Sequence, residues 1–157
     1  MKSKNKTKFN LLKLLSCILI TEGTGIIGGL FTASSVKSWY ITDVIKSSLN
    51  PPSWVFAPVW TLLFFLMGIA LYLVWHQKNN LFWFWVQLIL NLFWSVLFFG
   101  LRSPRLAFYE ILVLWFAIFM TIIKFREYNK TASVLLWPYL AWVSFASYLT
   151  YSVMILN

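Results

Sequence analysis

An apolar run over residues 11–33 is long enough to cross a membrane, and four more runs of similar length follow it, at about 54–75, 81–101, 104–125 and 133–156. The hydrocarbon core of a bilayer takes about 20 helical residues to cross, and each run is close to that. Of the 157 residues, 61% are hydrophobic and 11% are charged, against roughly 45–50% and about 25% in an ordinary soluble domain. A small domain buries only about two-thirds of its unfolded surface, too little to take so much apolar area out of water. In lipid the backbone must satisfy its own hydrogen bonds, which short-connected helices do. The reading is an all-α integral membrane protein, one domain forming a bundle of five transmembrane helices.

The boundaries carry their own chemistry. Pro51-Pro52-Ser53 keeps the second helix from starting earlier and offers Ser53 as its cap. Ser103-Pro104 puts a cap residue before a proline at the first helical position. Pro138 lies inside the fifth run and is predicted to kink it. One longer connection, 34–53, joins the first two runs, and the other three are short. Lys2, Lys4, Lys6 and Lys8 ahead of the first run resemble a signal peptide, but no small-residue cleavage site follows and the apolar pattern continues to Phe31. A retained first helix is expected.

The formal charge of +9 does not point to nucleic acid, because the basic residues flank the spans. On one side stand nine: Lys2, Lys4, Lys6, Lys8, Lys13, Lys78, Lys124, Arg126 and Lys130. On the other stand four: Lys37, Lys46, Arg102 and Arg105. The excess predicts a cell-membrane protein with a cytoplasmic N-terminus and an outside C-terminus. One Cys, Cys17, one His and four acids leave little material for a disulfide, a metal centre or a catalytic triad, and no metal or cofactor is expected.

Polar groups inside a membrane are costly and ask for a reason. Glu22 lies midway along the first span and Glu110 about two turns into the fourth. Gln87, Asn91, Trp94 and Phe98 recur at i, i+4, i+7 and i+11, one helical face. Two readings of that face remain: Gln87 and Asn91 bond neighbouring helices, or the face lines a cavity. Gly25 and Gly29 form a GxxxG spacing that permits close helix approach within the chain or across a dimer. Trp142, Ala146 and Leu149 form another stripe, on the fifth span. The chain holds ten Trp, seven Tyr and fifteen Phe, and interface anchoring accounts for many of the Trp. Trp60 and Trp94, however, lie about 9–11 Å below the helix ends at about 1.5 Å per residue. A flat aromatic ligand could stack there, with Lys37, Lys46, Arg102 and Arg105 at the mouth to meet its carboxylates.

The run WYITDVIKSSLNPPSWVFAPVWTLLFFLMGIALYLVW, followed by QLILNLFWSVLFFGLRSPRLAFYEI and WPYLAW, closely resembles the TspO/translocator protein family, also called tryptophan-rich sensory proteins. The resemblance runs from Trp39 onward, and the combination of PPxW, PVW, NxxWSxLFFGxR and PYLAW is highly specific. It implies a five-helix bundle, often dimeric, that binds porphyrins such as protoporphyrin IX. In some members it also implies cholesterol and benzodiazepine-type drug ligands. By motif, Ala57 and Trp60 occupy the family's AP-x-W positions, and Asn91, Trp94, Phe98 and Phe99 its N-x-x-W segment. Trp142 and Ala146 match the pocket stretch that PYLAW leads into. With Gln87 these make the expected ligand site. Trp60 and Trp142 also match two tryptophans associated, in bacterial relatives, with light-dependent porphyrin breakdown. The chain departs from the family at Lys46-Ser47-Ser48-Leu49, where Lys-Pro-Ser-Trp is usual. Nothing basic follows Tyr148 or Tyr151, so the animal sterol motif is not matched there, although Val36, Tyr40 and Lys46 fit its loose pattern. The expected function is a membrane porphyrin binder acting as sensor, scavenger or carrier. The alternative is an enzyme that degrades the bound porphyrin in light. Five spans without an inverted repeat fit a pump less well.

Overall fold

A computed structural model describes residues 9–76 and 81–157; Lys2, Lys4, Lys6, Lys8 and Lys78 lie outside the described residues. Five helical spans are long and apolar enough to cross a membrane: Leu11–Tyr40, Ser53–Val74, Phe82–Gly100, Pro104–Tyr128 and Lys130–Leu156. The chain is an all-α, multi-pass membrane protein. Within these spans lie α1 (Leu11–Ser35), α2 (Phe56–Val74), α3 (Phe82–Ser95), α4 (Pro104–Tyr128), α5 (Lys130–Leu135) and α6 (Trp137–Leu156). Leu19, Ile26 and Leu30 on α1 and Val113 and Phe116 on α4 are exposed, as lipid-facing side chains must be.

The first span runs further than its hydropathy predicts. Asn10 caps α1 through its side chain, which accepts from the Lys13 amide at 3.0 Å. At the far end Ser34 and Ser38 donate to carbonyls one turn back, at 2.8 and 3.2 Å. The helix therefore carries polar residues at no hydrogen-bonding cost and continues as a π-helical turn through Tyr40. The long connection expected over 34–53 shrinks to residues 41–52. Pro104 sits at the start of α4 as predicted, but the Ser103 side chain makes no capping bond. Ser53 opens a short 3-10 turn rather than capping it.

Pro138 has the expected effect. It cannot donate to the carbonyl four residues back, and the fifth span breaks at Leu136 into α5 and α6 with Pro138 in the first turn of α6.

The helices form a ring. α1 packs on α2 and α3, α3 on α4, α4 on α5 and α6, and α2 closes on α5. α1 and α2 approach closely: a Cβ built on Gly68 would stand 2.7 Å from the Ile18 Cα. Gly25 meets the Phe64 ring on the same seam, so one glycine of the GxxxG spacing packs within the chain. Polar bonds cross the ring where lipid cannot compete. The Asn91 amide donates to the Tyr139 hydroxyl at 2.8 Å, and the Trp115 indole to Ser144 Oγ at 2.8 Å.

Candidate functional site

Between α1, α2, α3 and α6 lies a cavity of about 540 Å³, a size in the usual range for small-molecule sites, about 300–1,000 Å³. Each helix contributes a stripe at helical spacing. α2 gives Ala57, Trp60 and Phe64, α3 gives Asn91, Trp94 and Ser95, and α6 gives Trp142, Ala146 and Leu149. Judged by chain position, Glu22, Phe64, Asn91 and Trp142 are the lining residues farthest from the 41–52 loop. They form the floor; Lys37 and Tyr40 stand at the mouth.

Two helix ends shape the mouth. Both α1 and α3 finish in a π-helical turn, closed by bonds from Ile41 N to the Val36 carbonyl (2.9 Å) and from Leu101 N to the Val96 carbonyl (2.8 Å). A π turn takes an extra residue and re-aims its side chains, a geometry common at functional sites. Here it turns adjacent Phe98 and Phe99 both inward, at 3% and 8% exposure. Ser35 Oγ donates to the Phe99 carbonyl at 2.7 Å, holding α1 to that turn. Phe98 stacks on Trp94 with centroids 5.1 Å apart and planes 16° apart, and Tyr40 meets Phe98 and Phe99 edge-on.

The walls are drier than their composition implies. Thr32, Thr61 and Thr150 line the cavity, but each hydroxyl donates to its own helix, at 3.2, 3.0 and 2.8 Å. That spends the donor protons and leaves largely apolar surface. Against this background two donors stand out: the indole N–H groups of Trp94 and Trp142 are buried and make no hydrogen bond among the described residues. A buried, unpaired donor costs about 1–3 kcal/mol. The mouth and side of the cavity are open, since Ile26, Gly29, Ala33, Ala57 and Thr61 line it and are also exposed.

The 41–52 loop is fastened despite lacking the family's Lys-Pro-Ser-Trp. Lys46 Nζ donates to the carbonyls of Tyr40 (2.6 Å) and Val44 (3.0 Å) and lies over the Tyr40 ring. Tyr40 donates to Asn50 Oδ1 at 2.7 Å. Asn157 pairs with both backbone groups of Ile45, at 3.0 and 3.1 Å.

Of the site residues expected from sequence, Ala57, Trp60, Asn91, Trp94, Phe98, Phe99, Trp142 and Ala146 all line this cavity. Gln87 is not among its lining residues. One turn beyond Asn91, it is buried with its amide 3.7 Å from Met67 Sδ, between helices rather than in the wall. Glu110 is likewise outside the cavity, with both carboxyl oxygens buried and unbonded among the described residues. Lys37 stands at the mouth as expected, but the wall that α1 forms below it was not expected from sequence: Glu22, Gly25, Gly29 and Ala33. Their spacing follows one face, but glycine and alanine advertise no chemistry.

Comparison with known proteins agrees with this architecture. Residues 17–156 match the family described as the TspO/MBR family. The chain is 44% identical to "Tryptophan-rich protein TspO" of Archaeoglobus fulgidus over 94% of this chain and 99% of that one. A protein of the same name from Chlorobaculum tepidum is also 44% identical, over 94% and 97% of the two chains. The human "Translocator protein" is 34% identical, over 81% and 79%. A five-span bundle matched to one family over nearly its whole length leaves one assignment: this chain belongs to the TspO/MBR family.

Proposed function

We propose that this protein binds porphyrins, protoporphyrin IX and related tetrapyrroles, in the cavity between α1, α2, α3 and α6, and acts as a sensor, scavenger or carrier. The observation that carries the reading is the aromatic wall of that cavity, with the Trp94–Phe98 stack beside it. A flat macrocycle offers faces to the rings, and its edge carries acceptors. The test is an absorbance titration of purified protein with protoporphyrin IX in the dark. A saturable change of the porphyrin band supports the reading, and a spectrum that follows detergent alone rejects it. Drug-like or sterol ligands would use the same apolar walls, and a second copy of the chain is a further partner to test by solution mass.

Degradation of the bound porphyrin is the second reading, favoured by Trp60 and Trp142 lining the same cavity from α2 and α6. An indole is readily oxidised by an excited porphyrin; a phenyl ring is not. In an enzyme, Trp60→Phe and Trp142→Phe keep binding and lose light-dependent loss of the porphyrin band. Bleaching that survives both substitutions belongs to the porphyrin's own photochemistry.

The orientation proposed is N-terminus in the cytoplasm and C-terminus outside, across the cell membrane. Reporter fusions at the two ends are expected to show opposite sidedness. A cytoplasmic C-terminus would overturn this orientation.

A further inference from the structure

Four basic residues flank the loop end of the bundle, and the structure separates their roles. Lys46 is consumed by the Tyr40 and Val44 carbonyls and the Tyr40 ring. Arg102, held at φ 49°, and Arg105 are exposed and do not line the cavity. Lys37 alone of the four lines it, and among the described residues its ammonium group is not engaged in a hydrogen bond or ion pair. The other charged residue in the wall is Glu22, at the floor on the same helix. Fifteen residues separate the two, which at about 1.5 Å per residue is about 22 Å along the axis. Glu22 too makes no ion pair or hydrogen bond among the described residues. The cavity therefore has a cation at its mouth and largely apolar walls below it.

We propose that Lys37 is the carboxylate anchor of this cavity, so that a ring ligand with acidic groups along one edge is held with that edge at the mouth. The inference rests on the porphyrin reading and adds a selectivity and an orientation to it. A carboxylate at the mouth keeps its outer face in water and gains a charge-assisted bond from Lys37. The same carboxylate turned inward would lose its hydration against Phe64. An ester of the same ring retains the stacking surface but offers no charge to Lys37, so it forfeits the anchor and leaves the rest intact.

The experiment titrates wild type, Lys37→Gln, Lys37→Arg and Lys46→Gln with protoporphyrin IX and with its dimethyl ester, following the porphyrin band at low salt. Lys37→Gln is expected to weaken diacid binding about fivefold, the size of a solvent-exposed ion pair, and to leave the ester unchanged. Lys37→Arg should restore diacid binding, and Lys46→Gln should not alter the ratio of diacid to ester affinity. A Lys37→Gln protein that keeps the wild-type ratio overturns the anchor while the porphyrin reading stands. Wild type that binds neither form overturns both.

Discussion

Ala146→Phe is expected to weaken protoporphyrin IX binding tenfold or more while the bundle stays folded. Ala146 lines the cavity from α6, one turn beyond Trp142, and is 8% exposed. Its methyl group borders open space, so a phenyl ring can extend into the cavity without displacing backbone. Overpacking a filled core costs about 1–3 kcal/mol; here the added ring occupies volume that a ligand would use. A tenfold loss corresponds to about 1.4 kcal/mol, a modest share of what a large aromatic ligand gains by stacking. Circular dichroism and thermal unfolding in detergent should match wild type. Unchanged affinity in the titration would place the porphyrin elsewhere.

Gly68→Val should have the opposite signature, lost stability at a position away from the cavity. A Cβ at Gly68 would be 2.7 Å from the Ile18 Cα and 2.9 Å from Thr21 Oγ1. The first of these is backbone, so the only relief is to push α1 away from α2. Membrane helices have little hydrophobic drive to associate and depend on such close contact. The expected loss is about 3 kcal/mol, at the upper end for overpacked sites, with a clear drop in the melting temperature in detergent. Gly23 is the control, because a Cβ there meets nothing within 4 Å. Gly23→Ala should stabilise by about 0.5–1 kcal/mol through helix propensity. Equal behaviour of the two variants would mean that the α1–α2 seam is not close-packed.

The five spans were legible because apolar length is a physical demand of the bilayer and survives any detail of packing. Their ends were less so. Hydropathy falls at Ser34, but Ser34 and Ser38 bond back to their own helix, so polarity and helix end part company there. The site was legible where it is aromatic: Trp94, Phe98 and Trp142 announce a face by type and spacing. Gln87 shares the face of Asn91 by arithmetic, yet the cavity ends one turn short of it, and only the packing of Met67 against it shows this. The α1 wall was invisible for a different reason. Gly29 and Ala33 matter there for what they lack, and an absence of side chain reads the same whether it admits a helix or a ligand.

The open flank between α1 and α2 changes what an affinity means for this protein. Ile26 is 65% exposed and yet part of the cavity wall, so in a membrane the missing section of that wall is completed by acyl chains. Occupancy is then an exchange, one ligand in for some lipid out, and the quantity that governs it is the ligand's mole fraction in the bilayer rather than its concentration in water. A poorly soluble macrocycle that partitions strongly into lipid would saturate the protein at a bulk level too low to measure.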